Sequence, residues 1–305
     1  MNAKLDTINA LSYKMTAFTD FINLLRLQVN IYHNAKVCGN WQINEHTLGA
    51  TCFHIVTTGK CHLNVPGHLD TEFNQGDLVI FPHEIPHQMS AIEPNREPQQ
   101  HLNYSTNLNG TGMLCGEVSF MHRYQNQLLE ALPPVLFIKN TESTPWLNQM
   151  VNLLLDESVQ YETENSVMIN RLSEMLFVYA LRHVLDTEKL QPGILAIYAH
   201  PKLSKAIKSF HDAPEKKWDI ALMAQKAGMS RTAFAQTFKK KSLWTVNQYT
   251  SWWRMQIAWE KLSAGDKVSD VASQVGYQSE AAFSRTFSKQ FQISAGQVRR
   301  MTSND

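Results

Sequence analysis

The spacing of apolar residues divides the chain into a first half with short apolar runs and a remainder with helical periodicity. Between residues 29 and 125 the runs CFHIV, HLNV and LVIF are separated by Gly and Pro positions. Short runs bounded by turn residues predict β-strands, and many such strands predict a sandwich or a barrel. From residue 145 onward apolar residues recur at every third or fourth position, which predicts helices. The expected fold class is therefore α+β.

Two amphipathic helices are predicted between residues 145 and 186. Their apolar faces carry Trp146, Met150, Leu153, Leu154 and Val159 in the first helix, and Ile169, Leu172, Met175, Leu176, Tyr179 and Leu181 in the second. An antiparallel pair with such a face is expected to form a homodimer interface, and the alternative is that the face packs on the strands of its own chain. Pro192-Gly193 then breaks the helical pattern, so a linker is predicted after residue 186.

One segment of the last third occurs twice. Residues 220–240 and 268–289 each read as a short helix, a Gly, a Ser and a second helix with two Phe at i, i+4. The Gly ends the first helix and the Ser caps the second. The corresponding residues are Ala224, Gly228, Met229, Ser230, Ala233, Phe234, Phe238 and Lys240 in the first copy, and Ala272, Gly276, Tyr277, Ser279, Ala282, Phe283, Phe287 and Lys289 in the second. The pattern predicts two helix-turn-helix units.

The second helix of each unit carries polar residues away from its two Phe, and these are candidates for contacts with bases and phosphates. The candidates are Arg231, Thr232, Gln236, Lys239 and Lys240 in the first unit, and Gln278, Ser279, Glu280, Ser284, Arg285 and Lys289 in the second. The alternative is that they form solvated helix faces. A long helix predicted over Thr245–Ser263 would hold the two units about one DNA turn apart. Within it, Arg254 is expected to form an intradomain salt bridge, with a phosphate contact as the alternative.

The charge balance changes along the chain although the net charge is +1. Residues 1–200 hold 11 Lys+Arg and 19 Asp+Glu, whereas residues 201–305 hold 17 and 8, a balance of +9. A basic third suits nucleic acid, and the alternative is an asymmetry that only keeps the domains dissolved. No apolar run is long enough for a membrane span, and the N-terminus does not read as a secretory signal. With four cysteines, too few for a disulfide framework, we expect a cytoplasmic, nucleoid-associated protein.

These motifs resemble the DNA-binding domain of AraC-type transcriptional regulators over the last 85 to 100 residues. The resemblance rests on the Gly-Met-Ser and Gly-Tyr turns, the paired Phe residues, Arg254-Met255 and the run from Ser279 to Phe287. It implies a helical module with two helix-turn-helix units that regulates promoters. The family usually has a Gly and then a Ser-Pro pair after each recognition helix. This chain has Leu243 and Gln292 in those stretches and lacks both prolines, so the loops are expected to differ in shape.

The first half resembles a cupin. The segment FNQGDLVIFPHEIPHQM is similar to the second cupin motif, with His87 as its closing His. The segment from Cys52 to Gly59 is similar to the end of the first motif, where Cys52 occupies the position of the usual metal-binding Glu. His46 falls near the usual His-x-His, whose second His is missing. The resemblance to AraC-type regulators with a cupin-like sensor then spans nearly the whole chain. The implied division is a sensor with a helical pair at 1–186, a linker at 187–198 and a DNA-binding domain at 199–305.

A metal site is one hypothesis for the sensor. Cys52, His54, His83 and His87 lie on two neighbouring segments, and residues 52 and 54 of a strand point to the same face. Sulfur together with imidazole suits zinc or copper. The alternative is a set of buried histidines and cysteines with no ligand. A competing hypothesis is redox sensing by one of Cys38, Cys52, Cys61 and Cys115, against which buried inert cysteine is the default.

The sequence therefore predicts a sequence-specific transcriptional regulator, more specifically an activator, and not an enzyme. Its fold is expected to combine an N-terminal cupin-like β-barrel and helical hairpin with an all-α C-terminal domain. The expected partners are double-stranded promoter DNA, RNA polymerase, a second copy of the chain, and an effector that is a small molecule, a metal or an oxidant. The alternatives are a cupin metalloenzyme that carries a DNA-binding tail and an architectural DNA-binding protein without a sensor.

Overall fold

The computed structural model describes residues 2–25, 27–44, 50–92, 98–103, 110–120, 129, 132–141, 144–160, 167–187, 190 and 192–301. The chain forms two compact units. One contains Arg26–Met121 and Leu132–Thr187, and the other contains Met1–Leu25, His122–Ala131 and Glu188–Asp305.

The first unit contains two antiparallel sheets. Their strands are β1 Leu27–Cys38, β2 Gln42–Ile43, β3 Thr51–Thr58, β4 Lys60–Val65, β5 Leu69–Asn74, β6 Leu78–Phe81, β7 Gln88–Ser90, β8 Gln100–Asn103, β9 Thr111–Phe120 and β10 Leu136–Ile138. The larger sheet has the strand order β10-β6-β3-β9-β1-β8, and the smaller has the order β2-β7-β4-β5. The predicted strand-rich cupin-like half is confirmed.

Strand β3 lies inside the larger sheet, between β6 and β9. All of its residues except Thr58 are buried, so both of its faces are covered. That burial explains why the run CFHIV is continuous instead of alternating with polar residues. Strand β5, at an edge of the smaller sheet, has a mostly exposed pattern in which Phe73 is the buried residue.

In its described residues this unit also contains the helices α2 Pro145–Gln160 and α3 Val167–Asp186. Five of the predicted apolar residues are buried in the unit: Met150, Leu154, Ile169, Leu176 and Leu181. Leu153 and Met175 instead remain exposed, together with Val167 and Met168 at the start of α3. The helix pair therefore has one apolar face buried by its own chain and a second apolar strip on its surface.

The second unit is helical in its described residues. Its helices are α1 Asn2–Leu25, α4 Ile194–Ala199, α5 Pro201–His211, α6 Ile220–Ala227, α7 Arg231–Ser242, α8 Val246–Ser263, α9 Val268–Gln274, α10 Glu280–Phe291 and α11 Ala295–Met301. Helix α4 occupies residues that the sequence suggested as linker. It is ordered there because all its residues from Ile194 to Tyr198 are buried in this unit.

Helix α1 packs on the C-terminal helices, although the sequence grouped its residues with the sensor. Ala17, Phe18 and Phe21 are buried, and the ring of Phe21 lies 5.1 Å from the ring of Tyr198. The Asp20 carboxylate lies 3.5 Å from the Lys208 ammonium. Short apolar faces of this kind do not reveal their partner, because many faces elsewhere in the chain could cover them. Among the described helices, none has the length and apolar character that a bilayer crossing needs.

Candidate functional site

The first helix-turn-helix unit consists of α6 and α7. The Asp219 side chain caps α6 by accepting a hydrogen bond from the Leu222 backbone N–H at 2.8 Å. Gly228 ends α6 in the left-handed conformation, with φ of 61°, which a glycine adopts without steric cost. Ser230 then accepts from the Ala233 N–H at 3.3 Å and begins α7. The sequence predicted this turn with the same Gly and the same Ser.

The second helix-turn-helix unit repeats this arrangement with α9 and α10. Gly276 has φ of 82°, and an added Cβ would collide with the backbone carbonyl of Glu215. Ser279 caps α10 by accepting from the Ala282 N–H at 3.1 Å. The Ser279 hydroxyl therefore has a structural partner, and its place among the DNA candidates is secondary to that cap.

The paired Phe residues orient both recognition helices. In α7 the rings of Phe234 and Phe238 lie 5.9 Å apart and are fully buried. In α10 Phe283 and Phe287 lie 5.7 Å apart and are likewise buried. Because residues at i and i+4 share one helix face, the remaining faces turn outward.

The outward faces carry the candidate DNA contacts. All but one of the predicted residues are exposed, and Ser284 is half-buried. The exposed set is Arg231, Thr232, Gln236, Lys239, Lys240, Gln278, Ser279, Glu280, Arg285 and Lys289. Each recognition helix thus presents an arginine among small polar groups, with lysine in its last turn. These are the donor types that reach guanine edges and phosphates.

Helix α8 connects the two units as one 18-residue helix, about 27 Å long at 1.5 Å per residue. A capping box begins it, in which the Thr245 N–H donates to Gln248 Oε1 at 2.7 Å and the Gln248 N–H donates to Thr245 Oγ1 at 3.2 Å. Its first half packs on α7 through Tyr249 and Phe238, whose ring centroids lie 5.7 Å apart. Its second half joins the core of the second helix-turn-helix unit, where the Trp259 ring lies 4.7 Å from the ring of Phe291. A helix packed at both ends fixes the spacing of the two helix-turn-helix units.

Arg254 on α8 contacts the loop before α6. Its Nε donates to the Pro214 carbonyl at 2.8 Å, and its Nη2 donates to the Lys216 carbonyl at 2.8 Å. The guanidinium is held by backbone carbonyls of the loop before α6, and the Glu215 carboxylate of the same loop also attracts it. This fork closes the loop onto α8.

The sequence did not predict a buried polar relay in this unit. His211 Nδ1 lies 3.3 Å from Asp20 Oδ2, and His211 Nε2 lies 2.7 Å from the Tyr249 hydroxyl. That hydroxyl lies 2.8 Å from the hydroxyl of Tyr198. A neutral imidazole that donates to Asp20 and accepts from Tyr249 satisfies every group. Burial lowers the pKa of His211 to about 4, although the Asp20 carboxylate opposes the shift.

A second candidate site lies in the cupin unit. Cys52, His54 and Glu84 are all buried, and each offers one donor atom such that all three donors lie within 4.8 Å of one another. Cys52 and His54 are alternate residues of β3, and the Cys52 sulfur lies 4.0 Å from His54 Nε2. Glu84 follows β6, and its backbone N–H donates to the Ala50 carbonyl at 2.6 Å. That bond ties the turn after β6 to the residue before β3.

His87 adjoins this group. Its Nε2 lies 3.1 Å from His54 Nε2, and its Nδ1 lies 2.9 Å from the Ile85 carbonyl. Because a carbonyl only accepts, Nδ1 carries the proton and Nε2 offers its lone pair towards His54. The Phe81 ring stacks on His87 with centroids 4.3 Å apart. The tautomer and the ring plane of His87 are thus both set by neighbours.

The structure brings together three of the four predicted metal candidates, Cys52, His54 and His87. His83 is half-buried and is absent from the group. Glu84 takes its place, because adjacent residues of the turn point in different directions and the sequence alone did not show which would face β3. His46 lies outside the described residues.

The cysteines bear on the redox hypothesis. No disulfide joins the four, all of which are described. Burial raises the pKa of Cys61 to about 12, and burial also raises the pKa of Cys52 and of Cys115 above the usual range. Such thiols keep their protons near neutrality and are weak nucleophiles. Cys38 is the half-buried member of the set.

Comparison with known proteins finds two matching family models. One, described as a cupin, matches residues 17–186. The other, described as a helix-turn-helix domain, matches residues 223–301. The first match covers the strand-rich unit and its helix pair together with the end of α1, and the second runs from within α6 to α11.

Three curated relatives are similar along nearly their full lengths. An uncharacterized HTH-type transcriptional regulator of Haemophilus influenzae is 28% identical over 293 residues, which cover 92% of this chain and 96% of the relative. The HTH-type transcriptional regulator MtrA of Neisseria gonorrhoeae is 29% identical, covering 86% and 90%. The RCS-specific HTH-type transcriptional activator RclR of Escherichia coli is 26% identical, covering 93% and 97%.

Proposed function

We propose that this chain, which belongs to the cupin family and is an AraC-type transcriptional regulator, activates promoters. In the proposal it reads DNA with α7 and α10. The observation that carries the proposal is the pair of exposed, capped recognition helices that α8 holds at a fixed spacing. In the proposal Arg231 and Arg285 reach base edges, and Lys239, Lys240 and Lys289 contact phosphates.

Base and phosphate contacts are chemically suited to these positions. Arg231 lies in the first turn of α7 and Thr232 and Gln236 follow it, so the N-terminal part of the helix offers the side chains that read bases. In α10 the corresponding part carries Glu280 and Arg285. The +9 balance of residues 201–305 supports association with a polyanion through release of counterions.

The proposed division of labour follows the chain. Residues 1–186 carry the input, residues 187–198 lead from it and end in the packed helix α4, and residues 199–305 bind DNA and contact RNA polymerase. Helix α1 is then the part of the input region that packs on the DNA-binding helices, through Phe21 and Asp20. Because α1 is followed directly by β1, a change in the sheet that alters α1 would alter the DNA-binding state. An effector held by the cupin domain, and a cytoplasmic location on the nucleoid, belong to the same proposal.

A non-enzymatic role completes the proposal. The relatives are named as transcriptional regulators, and one of them as an activator. The alternative of a cupin metalloenzyme has less support, because Cys52 stands at the position of the usual cupin Glu.

We expect truncation of either arginine to weaken binding to a DNA fragment selected by the wild-type protein. Arg231→Ala and Arg285→Ala should each cost about 1–3 kcal/mol if the guanidinium reaches a base. Lys202→Ala removes an exposed cation from α5 and serves as the control. Equilibrium binding at one fixed salt concentration measures all three. Wild-type affinity in both arginine variants would assign these side chains to a solvated face.

The surface strip on the cupin unit supports a homodimer. Met168, Leu172, Met175 and Tyr179 follow one another at helical spacing on α3, and Met168 and Met175 are exposed large apolar residues. A second copy of the same strip would cover them in a two-fold contact.

Met175→Glu should therefore shift the protein from dimer to monomer, since it places a charge inside that contact. Sedimentation velocity checks this, and Gln149→Glu on α2, also exposed, is the matched control. A dimer that both variants retain in equal measure would contradict the proposed interface.

A further inference from the structure

Four different donor groups converge in the core of the cupin unit: the Cys52 thiol, the His54 and His87 imidazoles and the Glu84 carboxylate. All four residues are at most 5% exposed. Burying a carboxylate beside a thiol and two imidazoles is costly unless a compensating charge or hydrogen bonds accompany it. The Cys52 thiol already forms a hydrogen bond with Glu84, and a cation at their centre would add the opposite charge.

The distances match the size of a zinc site. With Zn–S of about 2.3 Å and Zn–N of about 2.0–2.1 Å, a tetrahedron has donor–donor edges of about 3.3–3.6 Å. The two imidazole Nε2 atoms lie 3.1 Å apart, and the Cys52 sulfur lies 4.0 Å from His54 Nε2. These edges require adjustments of less than about half an ångström. The Glu84 donor oxygen lies within 4.8 Å of the donor atoms of Cys52 and His54.

The neighbours of the cluster hold it as outer partners hold metal ligands. The Nδ1–H of His87 donates to the Ile85 carbonyl at 2.9 Å, which leaves Nε2 to bind an ion. In the structure described here that lone pair faces His54 Nε2. Binding would replace the hydrogen bond between the two rings by bonds from both to one ion.

We propose that Cys52, His54, Glu84 and His87 bind one Zn²⁺ ion in the cupin core. One sulfur, two imidazoles and one carboxylate are ligands that zinc takes in tetrahedral sites, whereas Cu⁺ prefers sites dominated by sulfur. Two of the donors, His54 and Glu84, are not at the ligand positions that the cupin motifs suggest. The proposed set of ligands therefore differs from the set that those motifs suggest. The inference deepens the proposed function, because it names the input of the sensor.

The position of the site connects it to the rest of the unit. Cys52 and His54 lie on β3, where they pair with Phe81 and Val79 of β6. On its other side His54 pairs with Cys115 of β9, and β9 pairs along its length with β1. An ion that draws Glu84 and His87 towards β3 would therefore tighten the contact between the sheet and the turn after β6.

The test uses the full-length protein, stripped of metal with a chelator under reducing conditions. Zn²⁺ is titrated against a chromophoric chelator, and Co²⁺ is added separately to report thiolate ligation by its near-ultraviolet charge-transfer band. We expect one ion per chain and a charge-transfer band that Cys52→Ala abolishes. His87→Ala and Glu84→Gln should lower Zn²⁺ affinity by at least about tenfold, the lower end for losing even an outer partner.

Two matched controls make the result specific. Cys61→Ala alters another buried cysteine of the same core, and His83→Ala alters the neighbouring histidine of the same turn. Both should bind Zn²⁺ as the wild type does and keep the Co²⁺ band. Circular dichroism confirms that each variant is folded, and if a ligand variant is not, the conservative His87→Gln is measured in its place.

Binding of less than about a tenth of an ion per chain would overturn the proposal, and so would a charge-transfer band that survives in Cys52→Ala. Loss of binding in Cys61→Ala equal to that in Cys52→Ala would overturn it as well, because it would show that the readout follows damage to the core. DNA affinity is measured on the same samples. A wild-type protein that binds DNA but no Zn²⁺ would refute the metal site and leave the DNA-binding function standing.

Discussion

His211 shows how much of a site can depend on one buried side chain. Its ring stacks on Trp253 with centroids 3.4 Å apart, and it lies between the Asp20 carboxylate and the Tyr249 hydroxyl. These residues come from three distant parts of the chain. The sequence predicted the buried Phe residues of both recognition helices because helical spacing marks them. It did not predict the relay, since no spacing rule connects residues 20, 211 and 249.

The relay makes stability depend on pH. Burial lowers the pKa of His211 to about 4 from an ordinary value of 6.5. The unfolded chain therefore binds a proton first as the pH falls. The contribution of the neutral, buried His211 to the free energy of unfolding is complete above about pH 6.5 and is lost between pH 6.5 and pH 4. The loss is about 1.4 kcal/mol per unit of pKa difference, or roughly 3 kcal/mol in total.

His211→Gln should flatten this dependence. The free energy of unfolding by urea, followed by tryptophan fluorescence at pH 7 and pH 5, should fall less in the variant than in the wild type. His183 and His200 also have pKa values lowered by burial, so the difference between proteins is the readout. His68→Gln, at an exposed position, should keep the wild-type slope. Equal slopes in all three proteins would show that His211 is not the titrating group.

At the scale of elements, both recognition helices end in a left-handed residue that is not glycine. Leu243 has φ of 64° and Gln292 has φ of 55°. The sequence marked these loops because AraC-type domains usually have glycine there, and it predicted a change in loop shape. The left-handed turn is kept at both positions, by residues that enter this region at a steric cost.

Leu243→Gly should raise the stability of the protein by about 0.5–1 kcal/mol. Leu243 is 65% exposed, so its side chain contributes little packing. Glycine relieves the steric cost of the left-handed conformation, and part of that gain is offset by the greater freedom of the unfolded chain. Chemical denaturation measures the change. Gln236→Gly, within α7, is the control and should lower stability by a similar amount. A destabilised Leu243→Gly would contradict this account of the turn.

Elements with strong local signals were predicted well. The capped starts of α7 and α10 and the long helix α8 follow from Ser230, Ser279 and the apolar spacing near Tyr249. The sequence predicts a linker over the residues of α4 because Pro192-Gly193 breaks the helical pattern, whereas the structure forms a helix of six residues there. Its order comes from burial against other helices, which a local pattern does not contain.

At the scale of the whole molecule, the sequence predicted the cupin half and the AraC-type half, and the family matches confirm both. It did not predict that α1 packs with the C-terminal helices, because most of the chain between α1 and α4 belongs to the other unit. The same holds for Glu84, which joins Cys52 and His54 only when the turn after β6 reaches β3. Contacts between distant segments depend on the complete fold.

In the proposed function, two recognition helices on one chain read two neighbouring major grooves. Methylation-interference footprinting of the full-length protein on its selected DNA tests this arrangement. We predict two contacted guanine-containing segments on one face of the duplex, with centres about 10 base pairs apart. Arg231→Ala should lose interference in one segment, and Arg285→Ala should lose it in the other. A single contacted segment, or the same loss in both variants, would contradict the claim.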